Sequence, residues 1–388
     1  MLDLGKLRFM TAGESHGPCL TAIVEGLPAG FRPDIDRINK DMARRQQGYG
    51  RGGRMKIETD KAEVQSGIRF GETLGSPITL RVNNRDWQNW TGRMSQFGEP
   101  EGPAVTEARP GHADLVGVLK YDRKDARDIL ERASARETAA RVAVGALCKE
   151  FLRALDIAVV SHVVNIGGAE VDRSRIAADA IGNTDSELNC CDPAAEEAMK
   201  AKIRAAMEAG DTLGGIFEVI VRNLPIGLGS HIQWDRRLDG KLAQALMSIQ
   251  AIKGVEVGEG FGYASLPGSK AHDEMFFDED SHVYRKTNHA GGLEGGITNG
   301  EELVVRACMK PIPTLMTPLH SVDIRTKQPV LASKERSDCC AVSAASVVGE
   351  AMVAITLAAE IMETFGGDNI ADIKRNIADY KARLTAAM

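Results

Sequence analysis

Four arginines and a lysine crowd one short segment, ARRQQGYGRGGRMK, which holds Arg44, Arg45, Arg51, Arg54 and Lys56. The 388-residue chain is acidic as a whole, with 48 Lys and Arg against 54 Asp and Glu and a formal net charge of −6. Such a balance argues against a general attraction to nucleic acid or anionic membranes, so the cations point to a local anion pocket. Guanidinium groups make paired hydrogen bonds to carboxylate and phosphate oxygens. Gly48, Gly50, Gly52 and Gly53 let backbone and side chains converge there. A small molecule with several negative charges would fit such a pocket. The alternative is a solvated basic face or an RNA-binding arm over 44–56.

Two more arginines stand beside groups that move protons: Arg109 in RPGHAD with His112, and Arg336 in ERSD with Asp338. His112 follows Pro110 and Gly111 and so belongs to a turn, as does His16 in GESHG. Imidazole exchanges protons near neutral pH, which suits general acid or base work, although a lone loop histidine is more often structural. The eight histidines show no HExxH spacing, and no catalytic metal is expected. No GxGxxG stands in a strand-turn-helix setting, so a Rossmann-type cofactor site is not expected. GESHG is not a nucleophile elbow, which leaves Ser15 and Ser134 as hydrogen-bonding groups.

Positioning these loops requires regular elements. Asp192 and Pro193 open a helix that Gly210 ends. Arg136 to Leu155 is Ala-rich and helix-forming, and Leu238, Leu242, Leu246 and Ile249 recur at helical spacing. Ile370, Ile373, Ile377, Tyr380 and Leu384 mark an amphipathic C-terminal helix. The apolar stretch Ala341 to Ile361 contains Glu350 and reads as a buried core helix, not a membrane span. Strands are expected over Leu20–Glu25, Ile78–Val82, Ile157–Ile166, Ile216–Val221 and Leu303–Cys308. Strands and helices do not alternate, which favours an α+β fold of antiparallel sheets with packed helices over a doubly wound sheet. With no repeat or linker, residues 1–388 read as a single compact domain. Seven cysteines without paired metal-ligand spacing, and no apolar secretory leader, suggest reduced thiols in a cytoplasmic protein.

GESHG at 13–17, RRQQGYGRGGRMKIE at 44–58, RPGHAD at 109–114 and RASARETAARVA at 132–143 resemble, in order, the signature blocks of chorismate synthases. WDRRLDGKLAQALMSIQAIKGVEVG at 234–258, RKTNHAGGLEGGITNGEELVVR at 285–306, KPIPT at 310–314 and ERSDCCAV at 335–342 continue the series. Ser343 stands where that family usually has Pro, and Ala133 where it often has Ser. Segments 85–105 and 170–192 match no block.

The resemblance implies a trans-1,4 elimination that removes phosphate from C3 and hydrogen from C6 of 5-enolpyruvylshikimate-3-phosphate, requiring reduced FMN without net redox change. It implies two antiparallel sheets enclosing a central layer of helices (a β-α-β sandwich) and a homotetramer. By resemblance, Arg45, Arg51, Arg54, Arg109, Arg136 and Arg336 line the substrate and flavin pocket. His16 would protonate the leaving phosphate, His112 the reduced flavin, and Asp338 would assist hydrogen removal. Flavin-binding positions would be Arg45, Arg51, Arg132, Ala133, Ser134, Gln250, Ala251, Gly295, Lys310, Pro311, Ile312, Pro313, Thr314 and Arg336. Some members of that family also reduce their flavin with NADPH; lacking a dinucleotide fingerprint, this chain is expected to take NADPH only as an indirect reductant.

Overall fold

Alternating apolar residues build the first sheet. Strand β2 (Cys19–Glu25) buries Leu20, Ala22 and Val24 on one face and exposes Ile23 on the other. It pairs antiparallel with β1 (Arg8–Ala12) and with β4 (Ile78–Asn83), whose far edge carries the short β3 (Glu63–Val64). The structure, a computed structural model, describes residues 5–52, 59–99, 101–279, 283–334 and 338–387.

A second antiparallel sheet contains β5 (Ala158–Ile166), β6 (Ala169–Glu170), β7 (Gly215–Arg222), β8 (Ile252–Val257) and β9 (Leu303–Met309). Its order is β8-β9-β7-β5-β6. All five expected strands are present, each within a residue or two of its expected ends, and antiparallel pairing bears out the α+β reading.

The helices of seven residues or more are α1 (Ile35–Gln46), α2 (Asp114–Tyr121), α3 (Arg127–Ala133), α4 (Thr138–Arg153), α5 (Pro193–Ala209), α6 (Leu238–Met247), α7 (Val342–Phe365) and α8 (Ile370–Ala387). Asp192 caps α5 by accepting from Ala194 and Ala195, and Gly210 ends it at φ +67°, as its sequence signals require. Helix α4 starts two residues later than expected. Ser134 instead caps a 3-10 turn over Ala135–Glu137, its hydroxyl accepting from the Arg136 amide at 3.2 Å.

Helix α4 touches β1, β2 and β4, and α7 touches β5, β7 and β9; the two helices pack against each other. Small residues allow that approach: a Cβ on Gly145 would lie 2.3 Å from the Ala351 Cα, and one on Gly349 would lie 2.3 Å from the Phe217 ring. Helix α7 is long and apolar enough to cross a membrane, yet its apolar stretch is wholly buried inside the protein. Its deepest charge, Glu350, accepts from Arg44 at 2.7 and 2.9 Å, from Ser161 at 2.6 Å and from Lys149. Burial would raise the Glu350 carboxyl, but Lys149 and Arg44 hold it below the ordinary range. A single buried apolar cluster runs from Leu7 to Ile377.

Candidate active site

One cavity of about 1060 Å³ opens where the C-terminal end of α1, the turn before α4, the segment after β9 and the start of α7 meet. It is lined by His16, Arg45, Arg51, Arg109, His112, Arg136 and Asp338, residues separated by up to 322 positions (338 − 16) in the chain. Ala133, Ser134, Gln250, Ala251, Lys310, Ile312, Pro313 and Thr314 line it as well. Gly295, in the turn between Glu294 and Ile297, and Pro311 are not among its lining residues. Arg132 turns elsewhere, donating to the Thr11 carbonyl at 2.9 Å and hydroxyl at 2.7 Å and to the Gly13 carbonyl at 3.1 Å. Arg44 serves the core through Glu350 rather than the cavity. Arg54, Lys56 and Arg336 lie outside the described residues.

The cationic wall comes from α1 and the 3-10 turn. Arg45 Nη2 and Arg136 Nη1 both donate to Asp60 Oδ2, at 2.9 and 2.6 Å, so two guanidinium groups share one carboxylate and one positive charge is left over. Burial would raise Asp60, but Arg45 and Arg136 hold it below its ordinary value. Burial, together with repulsion from Arg136 and Arg51, lowers Arg45 to about 10 against the attraction of Asp60. Arg45 Nε, also buried, has no hydrogen-bond partner among the described residues. A buried cation with spare donors, facing a cavity, favours an anionic ligand.

Each histidine sits on a carboxylate. His112 Nδ1 donates to Asp114 Oδ1 at 2.5 Å, and Asp114 in turn accepts from Arg109 Nε at 2.8 Å and Nη2 at 3.1 Å. Arg109 Nη1 also reaches the Thr314 hydroxyl at 3.2 Å. Burial would raise Asp114, yet the hydrogen bonds from His112 and Arg109 hold it far below the carboxylate range. The His16 Nδ1 donates to Glu131 Oε1 at 2.9 Å, and the imidazole stacks on Trp90. A carboxylate on Nδ1 fixes the tautomer and leaves Nε2 as the atom that exchanges a proton. Asp338 accepts from the Gly52 amide at 2.6 Å and pairs with Arg51 at 3.1 Å. Lys310 donates to the Gly111 carbonyl; burial, then the charge of Lys253, lowers its ammonium below the ordinary value.

Asp60, Asp114, Glu131 and Trp90 are site residues that the sequence reading did not single out. Asp114 stands inside RPGHAD two positions after His112, a spacing that lets an Asx side chain turn back on its own loop. Glu131 follows Arg127 at the i,i+4 spacing of a helical ion pair. Asp60 and Trp90 had no such signal.

The family model described as chorismate synthase matches residues 7–362. The chain belongs to the chorismate synthase family. It is 57% identical over 385 residues to the chorismate synthase of Geobacter sulfurreducens, covering 96% of this chain and 98% of that one. It is 55% identical over 391 residues to the chorismate synthase of Aquifex aeolicus, covering 98% of each. A solved structure described as the crystal structure of chorismate synthase superposes with a TM-score of 0.79 at 45% identity, over 98% of this chain and 99% of that one. Membership makes the chain a carbon–oxygen lyase of the shikimate pathway, in aromatic amino acid biosynthesis. Within the chorismate synthase frame, Ser343 occupies the first turn of α7, where a proline needs no backbone partner, so the exchange leaves the helix intact. The RNA-arm alternative is not favoured, since Arg44, Arg45 and Arg51 are committed inward to Glu350, Asp60 and Asp338.

Proposed function

We propose that the cavity binds 5-enolpyruvylshikimate-3-phosphate beside reduced FMN and catalyses loss of phosphate from C3 and hydrogen from C6, giving chorismate. The observation that carries this reading is a pair of carboxylate-oriented histidines, His16 and His112, on one cavity walled by Arg45, Arg109 and Arg136. The residues present fit a flavin. Orphaned Arg45 Nε and the shared Asp60 leave cationic donors for a phosphate, while Ala341, Ala344, Ala345, Val348 and Ile249 offer an apolar floor for a flat ring. A volume of about 1060 Å³ stands at the top of the roughly 300–1,000 Å³ range of ligand pockets, which suits two ligands of moderate size held side by side.

Arg45, Arg51, Ala133, Ser134, Gln250, Ala251, Lys310, Ile312, Pro313 and Thr314 would hold the flavin, with Arg132, Pro311, Gly295 and Arg336 assigned by resemblance. Reduced flavin, when bound, supplies electron density that is recovered within each turnover. Arg45, Arg51, Arg54, Arg109, Arg136 and Arg336 would bind the two carboxylates and the phosphate of the substrate. His16 would donate its Nε2 proton to the departing phosphate, His112 would hold a proton for the flavin, and Asp338 would assist removal of the C6 hydrogen.

The same reading makes the protein a cytoplasmic homotetramer of one domain per chain, without its own NADPH-dependent flavin reductase and without nucleic-acid or membrane partners. The contacts of α4 with the first sheet and of α7 with the second support the β-α-β sandwich. An anaerobic assay tests the chemistry: with dithionite-reduced FMN, chorismate and free phosphate should appear together, and leaving out the reductant should abolish both. Equal turnover with oxidised flavin would overturn the reading. NADPH mixed with protein and oxidised FMN should leave the flavin colour unchanged.

A further inference from the structure

Two side chains, Glu131 and Trp90, converge on the imidazole of His16, and only the ring itself belongs to a motif the sequence made conspicuous. Glu131, 2% exposed, grips the residue twice: Oε1 accepts from the ring Nδ1 at 2.9 Å and Oε2 accepts from the His16 backbone amide at 2.8 Å. The Glu131 backbone carbonyl accepts from the neighbouring Ser15 amide at 3.1 Å, so the 13–17 turn is tied to the C-terminal turn of α3 by main chain and side chain together. Arg127, one helical turn back, donates to Glu131 Oε1 at 2.8 Å and holds the carboxylate in place. From outside α3, Trp90 stacks on the imidazole at 3.9 Å between centroids and 28° between planes. Its own indole is fixed by a 3.0 Å hydrogen bond from Nε1 to Asp86 Oδ2 and by Arg127, 5.0 Å from the ring centroid.

We infer that Glu131 and Trp90 are positioning residues for His16, which hold its ring edge-on and face-on as the acid for the leaving group. The inference rests on the reading of His16 as that acid. The carboxylate accepts a hydrogen bond from Nδ1, which commits proton exchange to Nε2. The stacked indole fixes the plane of the ring. Burial would raise Glu131, but His16 and Arg127 hold its carboxyl below the ordinary value, so it keeps its charge and does not take the proton itself. The charged groups on the elements packed around the ring are Glu131 and Arg127 on α3 and Asp86 on the turn that carries Trp90.

The test uses the full chain with dithionite-reduced FMN and substrate under anaerobic conditions. In Glu131→Gln, kcat should fall by roughly 10- to 1,000-fold with KM within about threefold of the parent, the pattern of a lost transition-state contribution. His16→Ala should lose about 10²- to 10⁴-fold, and adding Glu131→Gln to it should cost no more than about another threefold. Trp90→Ala should lower kcat with KM little changed, and Trp90→Phe should recover most of that loss. Near-normal turnover by His16→Ala would overturn the role of His16 itself. A slow His16→Ala with near-normal kcat in Glu131→Gln, or additive losses in the double variant, would overturn the role of Glu131 alone. If Glu131→Gln does not fold, the half-buried Trp90 carries the test, and an unchanged kcat in Trp90→Ala sinks the inference.

Discussion

Asp338 and Asn differ by one group, and that difference separates binding from chemistry. The Asp338 carboxylate accepts from the Gly52 amide at 2.6 Å and meets Arg51 at 3.1 Å, with a side chain 20% exposed at the cavity. An asparagine keeps an oxygen for the Gly52 amide and nearly the same shape, so the loop should hold its place. It cannot act as a base. Asp338→Asn should therefore bind FMN and substrate within a few-fold of the parent yet turn over at least roughly 100-fold more slowly, in the range for a lost acid or base. Flavin and substrate titrations beside single-turnover rates check this. A saturated mutant with near-normal turnover would leave Asp338 as only an ion-pair partner of Arg51. At this scale the sequence was most informative where a residue's chemistry is its own: arginines, loop histidines and Asp338 announce themselves. Their partners did not, because Asp60 and Glu131 matter through an approach made only when the chain folds.

Elements were legible wherever burial follows a simple period. Strand β2 alternates strictly and was found within one residue, and α5 carries its own cap, proline and terminal glycine. The start of α4 was misplaced, because Ser134 captures the Arg136 amide and sets Arg136 and Glu137 into a tighter turn before the α-helix begins. That displacement shapes the cavity wall, since it is the turn that aims Arg136 at Asp60. The meeting of α4 with α7 can be tested by one methyl group. At Gly145 a Cβ would stand 2.3 Å from backbone at Ala351, an overlap no rotamer relieves. Overpacking of this kind costs about 1–3 kcal/mol, whereas alanine improves helix propensity by about 1 kcal/mol, so packing wins. Gly145→Ala should destabilise the protein by up to about 2 kcal/mol on that balance. Gly240, exposed on α6 with nothing within 4 Å of its would-be Cβ, supplies the control. Gly240→Ala should be neutral or slightly stabilising, and denaturant midpoints compare the two. Equal effects at both sites would remove close packing as the reason for glycine at 145.

The whole molecule brings together segments from near both ends of the chain: the cavity draws on residues 15–16, 109–113, 249–251 and 338–348. No local pattern in the sequence states that meeting; only the block-by-block family resemblance did, and it was silent over 85–105, where Trp90 lies. The same convergence gives the protein a common response to acid. Asp60, Asp114 and Glu131 at the cavity, with Glu137, Glu218 and Glu350 elsewhere, are all raised by burial and lowered more strongly by arginine, lysine or histidine partners. Their folded-state values lie below those of the unfolded chain, about 3.9 for Asp and 4.3 for Glu. As pH falls through that range the unfolded chain takes up protons that the folded protein refuses, which favours unfolding. The stabilisation is thus complete above roughly pH 5 and drains away below it, each refused proton contributing a slope of about 1.4 kcal/mol per pH unit. Asp114 is fully buried and strongly depressed, so Asp114→Asn removes one such proton. The variant should be less stable than the parent at pH 7, because Asn cannot balance Arg109 and His112. Between about pH 4 and 3, however, its stability should fall less steeply, by up to that single-proton slope. Denaturant midpoints at pH 7, 4 and 3 measure both effects. An acid slope identical to the parent's would mean that Asp114 titrates alike in the folded and unfolded chains, and that the Arg109–Asp114–His112 cluster does not hold the charge its geometry implies.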